Sequence, residues 1–245
     1  MHRFYFSNAD FSKKSILITD RDEIHHIKDV LRLKAGDEVC IFNGSNQEAK
    51  AEIASVKQDQ VEVRIQSIKE GQPPAKVKII LACAVPKKAK FEFIIEKCTE
   101  LGVDEIIPLR TKRTEVVFAK EKTAAKQARF QKVAVNAAKQ SGRRDVPKIH
   151  PMISLAEALK ICYGNSVVLI PSLNGQPRHI REILMSRPQT TAVAVFIGPE
   201  GDFTPDEVQT AQSQGAVPVS LGTTVLKVDT AAISTVALVR FLCAD

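Results

Sequence analysis

The sequence predicts a small N-terminal β-barrel over residues 1–72 and, over 73–245, an α/β domain around a mainly parallel sheet. Three observations carry this. Apolar residues alternate with period two between turn signals through the first seventy positions. Lys69-Glu70-Gly71-Gln72-Pro73-Pro74 then interrupts any sheet or helix, because proline lacks the amide hydrogen that both require. Beyond it, continuous apolar runs alternate with helical periodicity, as strands covered on both faces alternate with crossover helices.

Phe4-Tyr5-Phe6 opens a short strand. Asp20 and Glu23 have capping-box spacing, and Ile24, Ile27, Val30 and Leu31 recur at helical intervals up to Gly36-Asp37. Residues 38–42 read as a strand closed by the turn Asn43-Gly44-Ser45-Asn46. Ala49, Ala51 and Ile53, then Val61, Val63 and Ile65, give two more strands. In the second domain, 77–85 is an apolar strand. Phe91, Ile94, Ile95, Cys98 and Leu101 form a helix face, and Gly102 supplies its C-cap. Ile106-Ile107 marks a strand, 122–140 a long polar helix, and 167–170, 193–197 and 217–221 three buried strands. Thr204-Pro205-Asp206-Glu207 joins an N-cap, an N1 proline and a capping-box glutamate. A last helix is expected over 230–242, with Asp229 as its N-cap. Phe91 and Phe93 read as core.

The 245 residues are 44% hydrophobic, enough for proper cores. Five cysteines (Cys40, Cys83, Cys98, Cys162, Cys243) include no C-x-x-C pair, which argues against a disulfide framework and against zinc. The N-terminus lacks a signal peptide's apolar core, and no apolar stretch approaches the roughly 18 residues of a membrane span. A cytoplasmic protein without metal or membrane association is expected. Residues 110–148 carry twelve Lys or Arg against three acids, so the net charge of +7 is concentrated there. Such a stretch fits either a polyanion-facing surface or a solvated lysine-rich helix.

Ligands of open parallel sheets gather at the carboxyl ends of strands. Three such ends carry unusual residues: Ile170-Pro171-Ser172-Leu173-Asn174, then Gly198-Pro199-Glu200-Gly201-Asp202-Phe203, then Leu221-Gly222 through Lys227-Val228-Asp229. Each taken singly also reads as a plain turn or helix cap. The sequence has no G-x-G-x-x-G and no G-x-x-x-x-G-K-[ST], and Glu200 and Asp202 would repel phosphate. A neutral or cationic ligand suits these loops better.

Together, the order strand-Pro, G-P-E-G, then L-G ahead of a C-terminal helix resembles the S-adenosylmethionine pocket of the SPOUT methyltransferases. His25-His26-Ile27, Val30-Leu31-Arg32 and Gly36-Asp37 resemble the N-terminal signature of the bacterial 16S ribosomal RNA (uridine-N3)-methyltransferase family. So do the run from Glu96 through Val103 and Gln140-Ser141-Gly142-Arg143, and the likeness covers nearly the whole chain. The resemblance implies a PUA-like barrel and a trefoil-knotted α/β domain in a homodimer. It implies S-adenosylmethionine as cofactor and 16S ribosomal RNA or the assembled small subunit as partner. It places Ile170, Pro171, Leu173, Gly198, Glu200, Gly201, Leu221, Gly222 and Leu226 at the cofactor. The chain departs from the pattern at Asp202, where a second glycine is usual, and at Lys139, where a glutamate is usual. It departs again at Thr224-Val225-Leu226-Lys227-Val228-Asp229-Thr230-Ala231, which stands for R-I-L-R-x-E-T-A.

The implied chemistry is attack of a deprotonated uridine nitrogen on a sulfonium methyl. Glu200 or Asp229 is the candidate proton acceptor, and Lys227 or Arg143 the candidate stabiliser of negative charge. Arg3, His25, His26, Arg32, Lys87, Lys88, Arg110, Arg113, Arg143 and Arg144 are candidate RNA contacts, along with Lys112 and Lys90. His25 and His26 read equally as plain helix surface. The alternatives are a SPOUT enzyme that methylates ribose 2′-oxygen and a non-catalytic RNA-binding protein using Gly198–Gly201 as a G-x-x-G loop. Pro199 and Glu200 sit badly in such a loop, whose central residues are usually basic.

Overall fold

A computed structural model describes residues 1–69, 71, 77–87, 90–116, 122–164, 166–171 and 177–243. Of the proline break read over 69–74, residues 70 and 72–74 lie outside them. The chain divides into two compact units: Met1–Pro74 with Ala138–Val146, and Ala75–Ala137 with Pro147–Asp245.

The first unit runs β1 (His2–Tyr5), β2 (Ser15–Ile18), α1 (Arg21–His25), a π-helical turn (His26–Val30), β3 (Glu38–Phe42), β4 (Glu48–Val56) and β5 (Val61–Lys69). Its strands form one sheet in the order β1-β3-β4-β5-β2, a half-barrel. β1 pairs parallel to β3 and the other ladders are antiparallel. The alternation of the sequence is met by a core containing Phe4, Ile18, Ile27, Ile41, Ile53 and Val63. The helix predicted from Asp20 begins there, with the Asp20 carboxylate accepting from the Glu23 N–H at 3.0 Å. It does not continue as one α-helix. The Leu31 N–H donates to the His26 carbonyl five residues back, at 2.9 Å. This wider turn keeps Ile27 buried but carries Val30 off the apolar face, leaving it 58% exposed. The strand β2 gave too short an alternation to be read from sequence.

The second unit runs β6 (Lys78–Ala84), α2 (Lys90–Glu100), β7 (Glu105–Arg110), α3 (Thr123–Ser141), β8 (Lys148–Ile149), β9 (Ile153–Ser154), α4 (Leu155–Cys162), β10 (Val167–Pro171), β11 (Arg178–His179), α5 (Ile180–Met185), β12 (Ala192–Ile197), α6 (Pro205–Ser213), β13 (Val217–Ser220) and α7 (Val228–Leu242). The last residues of α3 belong to the first unit. The strand order is β11-β13-β10-β12-β6-β7-β8, with β9 also on β7, and every ladder is parallel. Strands β6 and β12 are buried on both faces, as their unbroken apolar runs require. Helix α7 packs on both of them and on α2. Arg240 ties its far end down, donating to the carbonyls of Val77 and Gly102 and to Asp104. The described cysteines are all unpaired, and four of them are buried.

Two sequence expectations fail here. Lys227, not Asp229, is the N-cap of α7, so Asp229 sits inside the first turn. Phe93 is 48% exposed beneath the Lys97 ammonium, whereas Phe91 is core. Among the described residues, no helix is long and apolar enough to cross a membrane.

Candidate active site

Strands β13, β10, β12 and β6 are neighbours in one parallel sheet, so their carboxyl ends form a single rim. Pro171 ends β10, Gly198 follows β12, Leu221 follows β13, and Pro86 lies just beyond β6. All four line one cavity of about 420 Å³. Of the residues expected at the cofactor or in catalysis, Pro171, Gly198, Glu200, Leu221, Gly222, Leu226, Lys227 and Asp229 line it. Ile170 lies fully buried in the core instead. Gly201 packs under Arg113, and Arg143 belongs to the first unit. Leu173 and Lys88 lie outside the described residues. The sequence reading missed Pro86 and the Val219-Ser220 end of β13, and took Lys90 for a solvated or RNA-gripping charge rather than a cavity residue. Pro86 and Lys90 were legible, since they follow a buried strand's carboxyl end.

The loop after β12 is held by backbone geometry. A Cβ on Gly198 would come within 3.1 Å of the Phe203 nitrogen, so any side chain here would press on the loop's own backbone. Asp202 is left-handed, at φ 59, and its Oδ1 accepts from the Phe203 N–H at 2.7 Å. That conformation accounts for a glycine being usual at this position in the family it resembles. Aspartate is among the side chains that tolerate it best. Thr204 and Glu207 complete the predicted capping box of α6, and Glu207 also accepts from the Lys112 N–H at 2.8 Å. Arg113 donates to the Gly201 carbonyl, and the Lys87 N–H donates to Glu200 Oε1 at 3.1 Å. Two residues expected at RNA therefore clasp this loop. The Lys87 ammonium meets Glu115 at 2.7 Å.

On the opposite rim, Asp229 Oδ2 accepts from the Lys90 ammonium at 3.2 Å. Burial alone would raise the Asp229 pKa. The Lys90 hydrogen bond and the amides of the first helical turn outweigh it and hold the carboxyl below its ordinary range. Asp229 Oδ1 is shielded from solvent and receives no hydrogen bond of adequate geometry.

The first unit holds a second, polar cavity lined by Arg3, Glu48, Lys69, Arg143, Arg144 and Asp145. The Glu48 carboxylate is buried, with Arg3 beside it, Lys69 at 3.0 Å and Arg144 at 3.9 Å. Burial pushes the Glu48 pKa up, but Lys69 and Arg3 pull it down further, to a net lowering. Arg143 pairs with Asp145. His25 is exposed and bonded to Asp29 at 2.8 Å, and Arg32 is exposed with φ 54. His26 packs edge-on against Phe4, and burial lowers its pKa. Arg110 is exposed at the end of β7. Among the described residues, no cluster of His, Cys, Asp and Glu could hold a metal ion.

A model of the RNA methyltransferase domain matches residues 73–240, and a model of the RNA methyltransferase PUA domain matches residues 18–66. The ribosomal RNA small subunit methyltransferase E of Bacillus subtilis is 31% identical over 219 residues, covering 86% of this chain and 84% of its own length. The chain belongs to the small-subunit ribosomal RNA methyltransferase E family. Solved structures agree with this methyltransferase E assignment. The enzyme of that name from Neisseria gonorrhoeae, bound to S-adenosylmethionine, superposes with a TM-score of 0.89 at 27% identity, covering 99% and 98% of the two chains. A Legionella pneumophila protein solved with its bound cofactor S-adenosylmethionine gives 0.88 at 32% identity, covering 98% and 96%.

Proposed function

We propose that this methyltransferase E family member transfers a methyl group from S-adenosylmethionine to N3 of a uridine of 16S ribosomal RNA, in the cytoplasm and as a homodimer. The observation that carries this reading is the convergence of the three broken strand ends, at Pro171, Gly198 and Leu221, on one cavity. The donor set fits a cationic nucleoside: Glu200, Asp202 and Asp229 face the cavity, and glycine backbone allows close approach. When bound, S-adenosylmethionine supplies an electrophilic methyl on a sulfonium. The protein's part is to orient the base against it and to manage the N3 proton. Glu200 stands at the rim with Oε1 accepting from the Lys87 N–H, which supports it as the acceptor of that proton. Lys227, at the N-cap position of α7, lines the same cavity and steadies the negative charge that develops on the base. Arg3, Lys69, Arg143 and Arg144 of the first unit hold RNA phosphates, with Arg110, Arg32 and His25 as further exposed contacts.

Two features support the homodimer and the knot. Leu238 and Phe241 leave α7 exposed, the latter at 81%, and α5, which contacts α7, exposes Met185. An apolar face of this kind suits a second copy. Strand β13 lies between β10 and β11, and α7 after it packs back on β6 and β12, so the last segment returns across the sheet, as a C-terminal trefoil would also do. The test is mass mapping of 16S ribosomal RNA incubated with the protein and S-adenosylmethionine, as naked RNA and as assembled subunits. One methyl on a uridine base is expected. A methyl on ribose, or none on either substrate, overturns the reading.

A further inference from the structure

Lys90 and Asp229 come from the N-terminal ends of α2 and α7, far apart in sequence, and meet at the cavity wall. The sequence reading took Lys90 for a solvated or RNA-gripping charge and Asp229 for a helix cap or a base. The geometry fits none of these. Lys227, not Asp229, holds the N-cap position, without a side-chain cap, and Lys90 is committed to Asp229 Oδ2 at 3.2 Å. A carboxylate locked to an ammonium within a helix's first turn is a weak proton acceptor. What remains unexplained is Oδ1. It belongs to a side chain that lines the cavity, is shielded from solvent and meets no donor at full hydrogen-bonding geometry, although the Asp229 and Thr230 amides lie near the carboxylate. A buried carboxylate oxygen left unpaired is costly, so a site that keeps one calls for a donor from its ligand.

We propose that Lys90 is a positioning residue that holds Asp229 so that Oδ1 receives the ammonium group of the methyl donor's amino-acid end. This rests on the cavity being the S-adenosylmethionine site. The orphaned oxygen needs an N–H, and the surrounding charge favours a cation. The sulfonium has charge but no N–H, and the adenine amine has N–H but no charge. The amino-acid ammonium has both. It follows that Asp229 anchors the donor, which leaves Glu200 as the carboxylate for the proton.

The test is calorimetric titration of the full chain with three nucleosides: S-adenosylmethionine, S-adenosylhomocysteine, and 5′-methylthioadenosine, which lacks the amino-acid end. The proteins compared are the parent, Asp229→Asn, Lys90→Gln and Lys90→Arg. Asp229→Asn is expected to weaken both amino-acid-bearing ligands about ten-fold or more, the scale of a hydrogen bond between charged groups, and to leave methylthioadenosine unchanged. Lys90→Gln weakens the same two ligands less, and Lys90→Arg restores them. Equal weakening of all three ligands, or of none, overturns the assignment. If Asp229→Asn does not fold, Lys90→Gln and Lys90→Arg carry the same discrimination. A folded parent protein that binds none of the three overturns the cofactor reading itself, a distinguishable result.

Discussion

Replacing Asp202 separately by alanine and by glycine divides the two things that residue does. Its backbone is left-handed at φ 59, and its Oδ1 takes the Phe203 N–H at 2.7 Å. Alanine loses the hydrogen bond, about 1 kcal/mol. It keeps the Cβ that the parent already carries in this conformation, so the strain is unchanged and the total stays at about 1 kcal/mol. Glycine loses the same bond but sheds the backbone strain, so it stays within about 0.5 kcal/mol of the parent. For a chain of this size each kcal/mol moves the melting midpoint about 2–4 °C. The alanine variant should therefore melt about 2–4 °C below the glycine one, although both lack the carboxylate. Phe203 is buried and Thr204 caps α6, so the loop's disorder is felt directly by the helix behind it. Denaturant midpoints followed by circular dichroism measure the pair. Equal destabilisation, or a glycine variant worse than alanine, would refute the backbone account.

Glu48 has its folded pKa held below the usual 4.5, so its stabilisation is complete above that value and is lost as pH falls through the lower folded one. Glu48→Gln should be less stable at neutral pH, where buried cations lose their partner, and should converge with the parent as acid is added. A pH profile parallel to the parent's would contradict this. Lys139 stands where glutamate is usual in the family, and it meets Glu23 at 2.5 Å with both side chains largely buried. Lys139→Glu is expected to cost about 3–5 kcal/mol, and adding Glu23→Lys should recover much of that. A double variant no better than the single would disprove the pairing. Phe196, fully buried in the second unit's core, should cost about 3–5 kcal/mol on truncation to alanine by urea unfolding.

The long, strongly patterned elements were legible because burial on both faces, or a complete cap, leaves a mark in the residues themselves. Strands β6 and β12 and the start of α6 show this. Helix α4 also announces itself, through the box of Ser154 and Glu157, and went unread. Strands β8, β9 and β11 are two residues each, too short for any period to appear. The π-turn at His26 was hidden because one added residue leaves the apolar spacing almost unchanged while rotating Val30 outward. At the site, the loops were recognisable by their glycines and prolines. Partners across the cavity were not. Lys90 with Asp229, Arg113 with Gly201 and Lys87 with Glu200 are joined by contacts between residues 88 to 139 positions apart, which no local pattern encodes.

The first unit borrows nine residues from the middle of the chain. Asn46 donates to the carbonyl of Arg144, Val146 donates to that of Gly44, and Arg3 reaches the carbonyl of Arg143. A fragment ending at residue 72 would forfeit these bonds and leave the Glu48 carboxylate to Arg3 and Lys69, without Arg144. A stand-alone version of this unit would keep these contacts by carrying a grafted copy of residues 138–146.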